Sequence, residues 1–221
     1  MNRGDLKTKA KELIKNNKWY IWKPLIIIGL VIALIEGIAF GLDYAFGFVK
    51  METVEVLGIK TTHYTGGVIS IVVGVFTGFA SSALTIAYAH YILSFIRGKK
   101  LEIKDVIDFM KKHWAKAFIV GLLATLIVLG CTILLVIPGI IASIGLVFYQ
   151  EVCADNPEMR ATDIVRKSWE MTKGHKMDLF VLGLSFIGWC LLGTLTLGIL
   201  FIWLTPYMVI TFTLAYEKLK K

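Results

Sequence analysis

The sequence predicts an all-α protein: a polytopic membrane helical bundle of six transmembrane helices, arranged as three units of an amphipathic helix followed by a hairpin. Three observations predict it. Hydrophobic residues make up 57% of the 221, charged residues only 18% and mean hydropathy is +0.72, outside the usual range of a soluble globular domain. The apolar residues gather into runs long enough to cross a hydrocarbon core, which takes about 20 helical residues. The basic residues fall in short segments beside those runs rather than on one soluble surface. The net charge of +8 therefore reads as topology and as attraction to anionic lipid, and nucleic acid is not an expected partner.

Taken in order, residues 1–23 hold Arg3, Lys7, Lys9, Lys11, Lys15, Lys18 and Lys23 against Asp5 and Glu12. Leu6, Ala10, Leu13 and Ile14 recur at helical spacing, which predicts an in-plane amphipathic helix over 6–18. Trp19, Tyr20 and Trp22 follow as an interfacial aromatic belt. The charged stretch is too long, and the apolar run after it too complete, for a cleavable signal peptide. A first span is predicted from Pro24 to Val49 and a second from Gly67 to Ile96, with the polar stretch Lys50 to Thr65 as the loop between them. In RGKKLEIKDVIDFMKKHWAKAF (97–118), Ile103, Val106, Ile107, Met110 and Trp114 share one face, so a second amphipathic helix is expected over 102–114.

The apolar run from Ala117 to Val152 must then divide into two spans, turning either at Gly130-Cys131-Thr132 or at Pro138-Gly139. Aligning GCTILLVIPGII (130–141) with GILFIWLTPYMV (198–209) puts Gly130 on Gly198 and Pro138 on Pro206. That spacing favours turns near the glycines with each proline inside the following helix, its freed carbonyl satisfied by a neighbouring helix or a hydroxyl. Asn156 reads as an N-cap and Pro157 as the first residue of a third amphipathic helix over 157–173, with Ala161, Ile164, Val165, Ser168, Trp169 and Thr172 along one side. From Leu179 to Tyr216 there is no Lys, Arg, Asp, Glu or His, which suits two further spans.

Laid over one another, these segments make a single integral membrane domain of three units, 1–96, 97–153 and 154–221. The segments before spans one, three and five and the C-terminal tail carry 7, 7, 5 and 3 basic residues, against 2 between spans one and two. The positive-inside rule then places both termini and all three amphipathic helices in the cytoplasm. Lys11, Lys15, Lys18, Lys111, Lys112, Arg166 and Lys167 are the expected contacts to lipid headgroups.

At Ser168, Trp169, Met171 and Gly174, at LSFIGW (184–189), at Gly198, at Pro206-Tyr207 and at Ala215-Tyr216, the chain resembles a family of bacterial six-span integral membrane proteins of unknown function, common in Gram-positive bacteria. It is more distantly similar to the membrane portion of glycerophosphodiester phosphodiesterases. The resemblance implies six helices and a place in the cytoplasmic membrane. It supplies no catalytic residues, and the soluble phosphodiesterase domain has no counterpart in this sequence.

Chemistry-bearing motifs are scarce. His63, His90, His113 and His175 lie far apart, and Cys131, Cys153 and Cys190 sit in or beside apolar runs, so no metal, cofactor, disulfide or catalytic set is expected and an enzyme is not. Intramembrane polarity remains. Glu36 falls near the middle of the first span and Asp43 near its outer end, where a bare charge is costly and marks a candidate site. Ser81, Ser82 and Thr85 are the expected partners of Glu36. His90 joins the set nearer the inner end, out of register for a direct pair. Two function classes stay open: a protein that handles or exports a small amphipathic or lipid-like molecule, and a non-transporting scaffold, immunity or stress-adaptation protein acting through a membrane-protein partner or as a homo-oligomer.

Overall fold

The long apolar runs are helical, and the helices end close to where their composition changes. The computed structural model describes residues 3–56, 59–65 and 67–220, with the side chains of all of these except 50–56, 59–65, 75, 76 and 78–80. Among the described residues the chain runs α1 (Arg3–Asn16), α2 (Lys18–Ala45), β1 (Lys50–Val56), β2 (Ile59–Thr65), α3 (Val68–Ile96), α4 (Ile103–Leu134), α5 (Val136–Gly145), α6 (Tyr149–Asp155), α7 (Ala161–Thr172), α8 (Lys176–Leu195) and α9 (Phe201–Leu219). Four helical runs among them are long and apolar enough to cross a membrane: Lys18–Ala45, Ile103–Leu134, Val136–Asp155 and Lys176–Leu195. Ser81–Ile96, the second half of α3, is a shorter apolar helix.

The structure corrects four local expectations. The polar stretch after the first apolar run is an antiparallel hairpin, with Lys50 opposite Thr65 and Val56 opposite Ile59, so the class is helical with one two-stranded exception. Thr53, Val54, Val56, Ile59, Thr61 and Thr62 make the stretch rich in β-branched residues, which outweighs its polarity. The second amphipathic segment is no separate helix: it continues into the apolar run as α4, 32 residues long. The break after α4 falls at Leu135, in extended conformation, and not at Gly130. Thr132 donates its hydroxyl to the Val128 carbonyl and stays helical, while Gly139 lies so close to Thr132 that a Cβ there would come within 2.3 Å of its hydroxyl oxygen. That contact lets α4 and α5 join through one residue. Finally, Asn156 ends α6 rather than opening α7, its amide donating to the Val152 carbonyl at 3.1 Å, and α7 begins at Ala161.

The chain forms two compact units, Met1–Trp22 with Ser82–Lys221, and Lys23–Ser81. In the larger unit the buried side chains lie in the halves of the long helices next to the basic segments. Leu6, Ala10 and Ile14 form the buried stripe of α1, and Tyr91, Phe148, Ile164, Phe186 and Tyr216 are fully buried on α3, the turn before α6, α7, α8 and α9. The opposite helix ends are apolar and bare: Ile133 through Ile137 and Leu195 are exposed, and Leu197 is 95% exposed. An apolar surface of that extent belongs in contact with lipid or another apolar partner.

Two prolines free carbonyls that lie in this unit. Pro24 in α2 and Pro206 in α9 lack the N–H that would reach the carbonyl four residues back. For Pro24 that carbonyl is Tyr20, which accepts the Tyr91 hydroxyl of α3 at 2.9 Å. For Pro206 it is Ile202, which accepts the indole N–H of Trp22 at 3.0 Å. Both freed carbonyls are thus taken up by a donor from another helix, as the sequence reading required of Pro206. Pro138 differs: it is the third residue of α5, in the first turn, where backbone N–H groups have no helical acceptor in any case. The Tyr91 ring also stacks on Tyr20, centroids 4.6 Å apart. The Tyr20 hydroxyl in turn accepts the Leu101 N–H at 2.8 Å and donates to the Leu101 carbonyl at 3.2 Å, which fixes the start of α4.

Trp22→Phe keeps most of the apolar surface and removes the donor to Ile202. The unfolding free energy is expected to fall by about 1–3 kcal/mol, the cost of leaving a buried polar group unsatisfied. Pro206→Ala returns an N–H to the same carbonyl, so Trp22→Phe should cost clearly less in that background. Unfolding of the four proteins in one detergent measures both, and equal costs in the two backgrounds would rule out the indole bond as the cause.

Candidate functional site

The intramembrane polar residues named by the sequence are distributed rather than gathered. Asp43 is fully buried, and its carboxylate accepts the backbone N–H groups of Ile69 and Ser70 at 3.1 and 2.7 Å, capping the N-terminus of α3. Gly67 makes the approach feasible, since a Cβ there would lie 2.5 Å from the Asp43 carboxylate and 2.4 Å from Phe48 Cβ. Glu36 accepts the Thr77 hydroxyl at 3.2 Å, earlier in α3 than the expected partners Ser81, Ser82 and Thr85. Thr85 donates to the Ser82 carbonyl at 3.0 Å, and Ser82 packs on Gly121 of α4, where a Cβ would lie 2.8 Å from its own. His90 is half-buried and lies flat on Phe109 of α4, centroids 4.1 Å apart.

Sequence reasoning missed an ionic cluster at the ends of three helices. Arg97, just past α3, holds Asp155 at the end of α6 through two bonds of 2.6 and 3.0 Å. It also donates to Glu217 of α9, at 2.9 and 2.5 Å. Tyr216 donates to Asp155 at 2.9 Å, and Lys220 pairs with the same carboxylate. The hydrogen bond to Asp155, with Glu217 beside it, holds the Arg97 guanidinium above its ordinary pKa. The visible signal was Asp155 itself, an acid beside an apolar run. Glu151, one turn earlier, is also buried, with Thr213 3.4 Å from one carboxyl oxygen.

The lysines named as headgroup contacts divide as well. Lys111, Lys112 and Arg166 are exposed and Lys167 half-buried, with Arg166 3.4 Å from Glu170 one turn on. Lys11, Lys15 and Lys18 instead stand together along a groove of about 420 Å³ whose walls are Ile14, Trp189, Leu200, Trp203, Leu204 and Tyr207. The Lys11 ammonium lies 5.9 Å from the Tyr207 ring centre and that of Lys18 lies 5.7 Å from the Trp203 ring. Trp203 is itself fixed edge-on by Trp22 at 4.7 Å, so the wall rests on the Trp22 bond to Ile202. One turn before Lys11, Lys7 sits 4.5 Å over the Phe186 ring, and burial together with neighbouring Lys11 holds its ammonium below the ordinary value. The groove offers three cations over an aromatic and aliphatic surface. It can hold a molecule with an anionic end and an apolar end.

A protein-family model described as "Protein of unknown function (DUF975)" matches residues 124–221. No curated protein and no solved structure matches the chain. The matched stretch contains the α5–α7 lock, in which Ser168 and Thr172 both donate to the Gly145 carbonyl, at 3.1 and 3.3 Å. The Trp169 ring lies on the same glycine, and Lys176 lies 3.4 Å over that ring. Gly174, at φ +82, then turns the chain from α7 into α8.

A Cβ on Gly145 would stand 2.3 Å from the Trp169 ring, so Gly145→Ala must push the ring away or part the helices. A loss of about 1–3 kcal/mol is expected in detergent unfolding. Trp169→Leu in the same chain should recover part of it, and a Gly145→Ala protein as stable as the wild type would refute the close contact.

Proposed function

We propose that the chain is a six-span protein of a bacterial cytoplasmic membrane, with both termini and the basic amphipathic segments on the cytoplasmic side, that handles or exports a small amphipathic or lipid-like molecule. The membrane part rests on the apolar helices and on their exposed apolar ends. Two further helices complete the six: α3, 29 residues long, and α9, 19 residues long and free of charge before Glu217. The orientation follows from the charge asymmetry, since a basic segment faces each odd-numbered span while the turn between α8 and α9 carries none.

The single observation that carries the functional reading is the groove under Lys11, Lys15 and Lys18. A cationic rim supplies the anchor for a polar head, and Trp189, Trp203 and Tyr207 supply flat amphipathic walls for the apolar remainder. Its place beside the aromatic belt of Tyr20 and Trp22 suits a ligand that reaches it from the inner leaflet rather than from bulk water.

Orientation is tested with single cysteines in a cysteine-free background. An impermeant maleimide added outside should label positions in 52–64 and leave positions in 99–113 and 158–175 untouched, and labelling of either inner segment overturns the topology. The groove is tested by fluorescence. A brominated-chain anionic amphiphile should quench part of the tryptophan emission saturably in the detergent-solubilised protein, and Trp189→Phe with Trp203→Phe should remove that saturable part. Quenching that rises without saturation, or that survives the double substitution, counts against the groove as the binding site.

A further inference from the structure

We infer that the groove selects a headgroup carrying more than one negative charge, of the phosphomonoester class. The inference rests on reading the groove as an amphiphile site and concerns which amphiphile it takes. Lys11 and Lys15, one turn apart in α1, and Lys18, the first residue of α2, line the same groove. No carboxylate stands among the described residues that line the groove. The lining therefore carries three cations and no carboxylate of its own, a charge that a monoanionic head neutralises only in part.

Two of the three ammonium groups are directed inward. Those of Lys11 and Lys18 lie 5.9 and 5.7 Å from the centres of the Tyr207 and Trp203 rings, so they stand over the aromatic wall of the groove. Each ammonium presents three donors on a flexible stem, and a phosphomonoester answers with about −1.5 to −2 charges and three acceptor oxygens. At about 420 Å³ the groove lies low in the range of about 300–1,000 Å³ typical of small-molecule sites. It has room for one head and the first part of one chain.

The experiment compares amphiphiles with the same brominated chain and three heads, a phosphate monoester, a glycerol phosphodiester and an uncharged sugar, by tryptophan quenching of the full chain in neutral detergent. Affinity is expected to fall in that order, and the advantage of the monoester to shrink as salt rises. Lys15→Gln should weaken the monoester about five-fold, Lys15→Arg should restore most of it, and Lys11→Gln/Lys15→Gln/Lys18→Gln should erase the ranking. Inorganic phosphate separates a lipid head from the free ion, and should displace the amphiphile only at far higher concentration.

Equal affinity for the three heads overturns the selectivity and leaves the groove as an amphiphile site. Displacement by inorganic phosphate at concentrations matching the amphiphile overturns both, because the site then belongs to the free anion. Absence of saturable quenching by any of the three heads also overturns both.

Discussion

A buried carbonyl oxygen that loses its helical partner must find another donor, and two such oxygens decide how the larger unit packs. Proline creates the vacancy in each case, at Tyr20 in α2 and at Ile202 in α9. The Tyr91 hydroxyl and the Trp22 indole fill them. Because the donors come from other helices, satisfying these oxygens also ties α2 to α3 and the start of α2 to α9. Apolar side chains alone give weak guidance here, since lipid tails are as apolar as leucine. Directional bonds to unpaired backbone groups provide the register that non-directional packing lacks.

The same logic shapes the stretch matched by the family of unknown function. The Gly145 carbonyl, at the end of α5, is covered by two hydroxyls from α7, and the missing side chain of the glycine is what lets Trp169 lie flat on the junction. Ser168, Trp169 and Gly174 are thereby accounted for as parts of a joint. The groove depends on the other joint, because Trp203 holds its place through Trp22.

How far the sequence was legible follows from the kind of information each feature needs. Span positions depend on length and apolarity, and α2, α8 and α9 lie close to the predicted segments. The break at Leu135 was illegible because it depends on Gly139 meeting Thr132, a contact between helices and not a property of either. Residues 50–65 were misread because polarity was weighed above β-branching. Asp43 and Glu36 were both visible as acids among apolar residues, yet only the helix register shows that one caps α3 and the other meets Thr77. Lys11, Lys15 and Lys18 were legible as cations beside an apolar run. The groove beneath them was not, because its walls come from α8 and α9, far along the chain. Of Arg97, Asp155 and Glu217 only Asp155 stood out, as an acid beside an apolar run, and nothing local shows which charges it meets, because Arg97 and Lys220 lie 58 and 65 residues away in the chain.

The α4–α5 hairpin has a tip with no polar anchor. From Ile133 to Ile137 every side chain is apolar and exposed, and the bend between α8 and α9 offers only threonine and glycine among leucines and isoleucines. In the proposed orientation these hairpins are pegged at the lysine-rich face alone. Their far ends can therefore rise or sink with the hydrocarbon thickness, since no charge is dragged out of water or into oil when the bilayer thins or swells. Such a protein would tolerate changes in lipid chain length that would strain a bundle anchored on both sides.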